Sequence, residues 1–117
     1  MPTPADTFKE FVLEQLERLP DVSCNRMFGA YGLYSGEIFF GIISKSRLYF
    51  KTDKKTRVAY IERKSTPFRP NPKVELQKYY EVPLEILEDR DQLVQWARLA
   101  VCVSAPPKRN KSQSGKR

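Results

Sequence analysis

Ala30-Tyr31-Gly32-Leu33-Tyr34-Ser35-Gly36-Glu37-Ile38-Phe39-Phe40-Gly41-Ile42-Ile43-Ser44-Lys45-Ser46-Arg47-Leu48-Tyr49-Phe50-Lys51 is the stretch that decides the fold. Short runs of β-branched and aromatic residues, Ala30–Tyr34, Ile38–Ile43 and Leu48–Lys51, are separated by the turn pairs Ser35-Gly36 and Lys45-Ser46. That is the pattern of consecutive antiparallel hairpins. Strict alternation on 47–51 sends Leu48 and Phe50 to one face of the sheet and Arg47, Tyr49 and Lys51 to the other. The run 38–43 is different, because it is apolar in both phases. Both of its faces ask for cover, and helices on one side leave either Phe39 and Ile43 or Phe40 and Ile42 on an open face.

Upstream, Cys24–Phe28 reads as a further β-rich run, with Gly29 and Gly32 marking a bulge or close approach that bends this strand region. Before it, Thr3-Pro4-Ala5-Asp6 forms a helix start, with Thr3 as cap and Pro4 in the first turn. Phe8, Phe11, Val12, Leu16 and Leu19 make the apolar stripe of the helix that follows, which Pro20-Asp21 ends. Downstream, Thr52-Asp53 caps a short helix over 54–63, and a proline-containing loop follows. Val74–Val82 is another strand, and Pro83 opens a helical turn through Leu87. Asp89 or Asp91 then caps a last helix with Leu93, Trp96, Ala97, Ala100 and Val101 on one side. Hairpins with few helices define an α+β fold: a two-layer antiparallel β-sheet with helices packed on one face, in the order α-β-β-β-α-β(-β)-α, the bracketed strand lying near Phe68.

Composition supports one domain. The chain has 117 residues, 40% of them hydrophobic and 12% aromatic, enough apolar surface for a single core and too much for a disordered chain. The net charge of +7 is unevenly placed. The segment 106–117 holds five basic residues and no acid, so the expected division is a folded domain over 1–105 and a disordered basic tail over 106–117. Within the domain, 45–78 carries eleven basic and three acidic residues between mildly acidic ends. No apolar run approaches the ~20 residues that span a bilayer, and the first twenty residues do not form a signal peptide, so a cytoplasmic location and no membrane partner are expected.

The absence of histidine excludes Ser/His/Asp and Cys/His nucleophilic arrangements, and no paired carboxylates sit in an apolar setting. Cys24 and Cys102 match no metal spacing. The glycines at 29 and 32 lack the context of a phosphate loop. The reading is therefore a non-enzyme with no catalytic residue, no cofactor and no metal. The candidate interaction surface is Arg26, Tyr31, Phe39, Ile43, Arg47, Tyr49, Lys51 and Tyr79. It joins the doubly apolar strand to a basic face with interleaved aromatics, a pattern shared by ordinary solvent-facing strands and by sheets that stack single-stranded nucleic acid. A pocket near Arg26, Tyr31 and Tyr80 is a further reading.

Three motifs occur in order: Arg26-Met27-Phe28-Gly29-Ala30-Tyr31-Gly32-Leu33-Tyr34, Arg47-Leu48-Tyr49-Phe50-Lys51 and Tyr79-Tyr80-Glu81-Val82-Pro83, followed by the helix Leu93-Val94-Gln95-Trp96-Ala97. Together they resemble the N-terminal domain of the TfoX/Sxy competence-regulator family, from about Phe8 to Ala105. Ala30 departs from the family pattern, which more often has glycine there. The resemblance implies one antiparallel sheet with helices packed on it, similar to secretion-chaperone-like folds. It also implies a regulatory role in a stand-alone copy of the domain, and it supplies no catalytic or ligand-binding residues. The partners expected are an unidentified protein, a second copy through the sheet or its edge, and weak non-specific nucleic-acid contact through the tail. The alternative function is a nucleic-acid-associated accessory protein using 45–78 and the tail.

Overall fold

A computed structural model describes residues 4–27 and 29–105. Helix α1 (Pro4–Gln15) leads into β1 (Val22–Met27), β2 (Ala30–Ser35), β3 (Ile38–Ser44) and β4 (Arg47–Lys51). Helix α2 (Lys54–Glu62), strands β5 (Pro67–Asn71) and β6 (Val74–Glu81), the short α3 (Leu84–Leu87) and α4 (Arg90–Ser104) complete the chain. The strands form one antiparallel sheet in the order β1-β2-β3-β4-β6-β5. The α+β layout and the order of elements agree with the sequence reading. The first strand region is divided at Gly29 into β1 and β2, and the strand near Phe68 is β5. The Thr3 cap, Phe28 and the tail 106–117 lie outside the described residues.

Local chemistry sets the boundaries. Asp53 and Thr56 form a reciprocal capping box at the start of α2, and Asp89 accepts the Gln92 N–H at the start of α4. The β3–β4 turn places Lys45 and Ser46 both at positive φ, 52° and 60°, a left-handed pair that suits a two-residue hairpin but strains side-chain-bearing residues. Gly36, at φ 61°, occupies the β2–β3 turn without that cost.

All four helices contribute to one core. Val12, Leu16, Tyr60, Ile86, Leu93 and Ala97 pack with Leu33, Phe40, Ile43, Leu48 and Phe50 from the sheet. Helix α4 lies across β3 and β4, and buried Gln15 donates to the Leu87 carbonyl at 3.0 Å, tying α1 to α3.

The phase of β3 is set by a bulge. Leu33 pairs with Gly41 and Tyr34 with Phe39, so Phe40 is an extra residue between them. Phe40 and Ile43 then both face the helices, while Phe39 and Ile42 face away. Neither phase of a regular strand gives that pairing. Gly41 is what the bulge requires, since a Cβ there would lie 3.0 Å from the Tyr49 carbonyl oxygen and 3.2 Å from the Phe50 ring.

Candidate functional site: the open face of the sheet

The face without helices carries a second, smaller cluster. Ile42, Tyr49 and Phe68 are buried in it, with Ala30, Phe39, Leu76 and Tyr79 packed at its margin. Cross-strand pairing explains the grouping: Tyr49 stands opposite Glu81 and Lys51 opposite Tyr79, so these share a pleat surface. Strand β5 supplies Phe68, whose ring lies 4.7 Å from that of Tyr49. Tyr34, Phe39 and Tyr79 form a line of tilted rings, with centroid separations of 5.3 and 6.0 Å. Beside Phe39 and Tyr79 opens a cavity of about 340 Å³, lined also by Ala30, Ile42, Phe68, Pro70 and Leu76. The proline-containing segment thus covers the face only in part.

Electrostatics at the rim is balanced. Arg47 donates to both carboxylate oxygens of Glu81 at 3.0 Å, and Arg69 pairs with Glu75. Burial pushes the hydroxyls of Tyr49 and Tyr79 above their ordinary range, with Glu81 adding to the effect at Tyr49 and Arg47 opposing it. Both are therefore neutral donors at physiological pH. Basic side chains that make no ion pair among the described residues gather elsewhere, in a hollow lined by Lys51, Lys54, Arg57 and Lys78 with Asp53 around the start of α2, where Arg57 donates to the Thr52 hydroxyl.

The eight candidate residues divide three ways. Phe39, Arg47, Tyr49 and Tyr79 meet on the open face, with Lys51 at the end of β4 opposite Tyr79. Ile43 does not join them: it is 1% exposed in the main core, because the bulge at Phe40 switches the strand's phase. Arg26 and Tyr31 sit together on the helix side, where the Arg26 guanidinium lies 5.8 Å and the Lys9 ammonium 5.2 Å from the Tyr31 ring. Tyr80 is separated from that pair by β3 and β4 and packs on Tyr60, so Arg26, Tyr31 and Tyr80 do not line one pocket. Sequence reasoning passed over Tyr34 and Leu76 as members of the open face, and it grouped Ile42 with Phe40 where the structure joins it to Phe39. The alternation Ala30, Gly32, Tyr34 along β2 was the available signal for the first of them.

Cys24 is partly buried and its thiol is pushed up by burial, with Lys9 acting in the opposite sense, whereas Cys102 is exposed on α4. Among the described residues no group of three His, Cys, Asp or Glu side chains converges to hold a metal ion, and no helix is long and apolar enough to cross a membrane.

These features define a class: a single antiparallel sheet sheathed by helices on one side and presenting an aromatic, charge-balanced surface on the other. Compared with known families, the chain matches the TfoX N-terminal domain over residues 14–103 and belongs to that family. No curated protein matches it.

Proposed function

We propose that the chain is a non-catalytic protein-interaction module of cytoplasmic regulation, with a role related to competence or transcription, and that its open sheet face is the binding surface. The observation that carries this reading is the one-sided placement of the helices, which leaves Phe39, Leu76 and Tyr79 partly exposed around a cavity on a six-stranded sheet. Family membership adds a regulatory context. Paired rim charges fit a partner that brings an apolar element with few charges, since the arginines already have carboxylates.

The test is affinity capture from the native host with immobilised full chain, compared with a Phe39→Asp and Tyr79→Ser double variant and with Val58→Asp on exposed α2. Partners retained by Val58→Asp and lost from the double variant, with circular dichroism unchanged, are expected. Equal capture by all three proteins would refute the assignment. Light scattering at micromolar concentration separates self-association from a foreign partner: a dimer that the double variant abolishes identifies a second copy.

The basic excess of 45–78 favours a second reading, a nucleic-acid accessory role using that segment and the tail. The pairing of Arg47 and Arg69 with carboxylates weakens it at the aromatic face. A salt titration of DNA and RNA binding decides: steep salt dependence lost on ending the chain at Ala105 assigns the effect to the tail.

A further inference from the structure

The groove between α2 and α4 lies on the helix side of the sheet, away from the aromatic cavity of the open face, and Lys51, at the end of β4, is the residue that borders both sides. It encloses about 370 Å³, at the lower end of the ~300–1,000 Å³ range of small-ligand sites. Its walls are apolar: Ala59 from α2, and Trp96, Leu99 and Ala100 from α4. Trp96 is held in a fixed attitude. Its ring meets that of Tyr60 edge-on at 4.7 Å and 65°, and the Arg63 guanidinium covers it at 5.2 Å.

The polar groups at the groove are few, and most are uncommitted. Thr56 is spent on the capping box, accepting from the Asp53 N–H and donating to the Asp53 carboxylate. Tyr60 is only 3% exposed, yet its hydroxyl has no hydrogen-bond partner among the described residues. Buried hydroxyls nearly always have one, because losing water without a replacement is costly. Lys51 and Lys55 border the groove, and neither takes part in an ion pair among the described residues.

The geometry points to a binding site for a small amphipathic carboxylate, its short acyl or single-ring body packed on Ala59, Trp96 and Leu99 and its anionic head held by Lys51 and Lys55. The Tyr60 hydroxyl is the remaining donor. Burial keeps it protonated, which suits donation to an anion. The volume suits such a molecule and is too small for a dinucleotide. Cation and apolar wall are both needed: the lysines alone would select any anion, and the wall alone any hydrocarbon.

The chain contains one tryptophan, so its fluorescence reports on this groove without interference. The probe is octanoate, with octan-1-ol as the uncharged control and acetate as the headgroup alone. Octanoate is expected to change Trp96 emission saturably, with half-saturation below about 1 mM. Octan-1-ol and acetate should each bind at least about tenfold more weakly, the size of one lost charge-assisted contact or of the lost apolar packing. Lys55→Ala should weaken octanoate about tenfold, Tyr60→Phe should weaken it by a smaller factor, and Ala59→Leu should abolish binding by filling the groove. Ligand-observed NMR line broadening checks the fluorescence, and thermal unfolding confirms that each variant is folded. Absence of saturable octanoate binding to the wild-type chain, equal binding of octan-1-ol, or undiminished binding to a folded Ala59→Leu variant would each overturn the proposal.

Discussion

Replacing Phe39 and Ile43 separately by aspartate tests the bulge on which the two-faced sheet depends. In a regular strand these residues, four apart, share a face and respond alike. With Phe40 inserted as an extra residue they point to opposite sides. Ile43 is 1% exposed among Leu33, Leu48 and the helices. Deleting its side chain costs about 2–5 kcal/mol in lost transfer and cavity formation, and an unpaired buried carboxylate adds several kcal/mol more. A domain of this size has about 5–15 kcal/mol in total, so Ile43→Asp is expected to be unfolded or nearly so at pH 7. Phe39 is partly exposed at the cavity margin, and an aspartate there reaches water. Its loss removes part of a side-chain burial and two ring contacts, about 1–2 kcal/mol together. At about 4–8 °C per kcal/mol, Phe39→Asp should melt roughly 5–15 °C below the parent and remain cooperative. The assay is thermal and urea unfolding followed by far-ultraviolet circular dichroism. Ile43→Val serves as the mild companion, expected to cost about 0.5–1.5 kcal/mol. Equal losses for the two aspartate variants, or a greater loss at Phe39, would refute the bulged register.

Other consequences follow from single residues. Replacing Lys45-Ser46 by Asn-Gly should stabilise the protein by about 1–2 kcal/mol in urea unfolding, since both positions have positive φ and that pair adopts it readily. A loss of stability would mean that the turn is not of this type. With a thiol-reactive chromogenic disulfide at neutral pH, exposed Cys102 should react before Cys24, whose thiol burial keeps protonated; Cys102→Ser should remove the fast phase. The carboxylates of Asp53 and Asp89 are held below their ordinary pKa, Asp53 chiefly by the Thr56 backbone N–H and Asp89 by the Gln92 side chain. A depressed folded-state pKa gives stabilisation that is complete above the unfolded value of about 3.9 and is lost as pH falls through the folded one. Urea midpoints should therefore drop below about pH 4, and drop less in the Asp53→Asn/Asp89→Asn variant, in which asparagine keeps a cap but cannot titrate.

What the chain discloses before folding depends on whether a pattern is settled by neighbours in sequence or across the sheet. Alternation on β4 is local: Leu48 and Phe50 face the helices and Tyr49 faces away, as period two requires. The stripe of α4 is also local, and Leu93, Ala97 and Ala100 are buried as its spacing implies. The β3 run contains no such information, because apolar residues fill both phases and either phase would bury something. Its register is decided by Leu33 and Tyr34 on the neighbouring strand and by the space that Gly41 leaves beneath the Tyr49 carbonyl. The basic run 45–78 is likewise only partly readable from its own residues. Its charges are adjacent in sequence, but Arg47 and Arg69 meet the carboxylates of Glu81 and Glu75 only once β6 lies between β4 and β5. Tyr60 and Trp96 likewise meet only when α4 folds back beside α2, so no motif announces their groove. The bulge has one further effect on the open face. By turning Phe40 and Ile43 toward the helices together, it gives the main core two large side chains from consecutive turns of the pleat. That leaves Phe39 and Ile42 to the open side, a pairing that neither phase of a regular strand would give. Phe68 from β5 packs on Ile42 and Tyr49 there, and β5 shields the open face only in part.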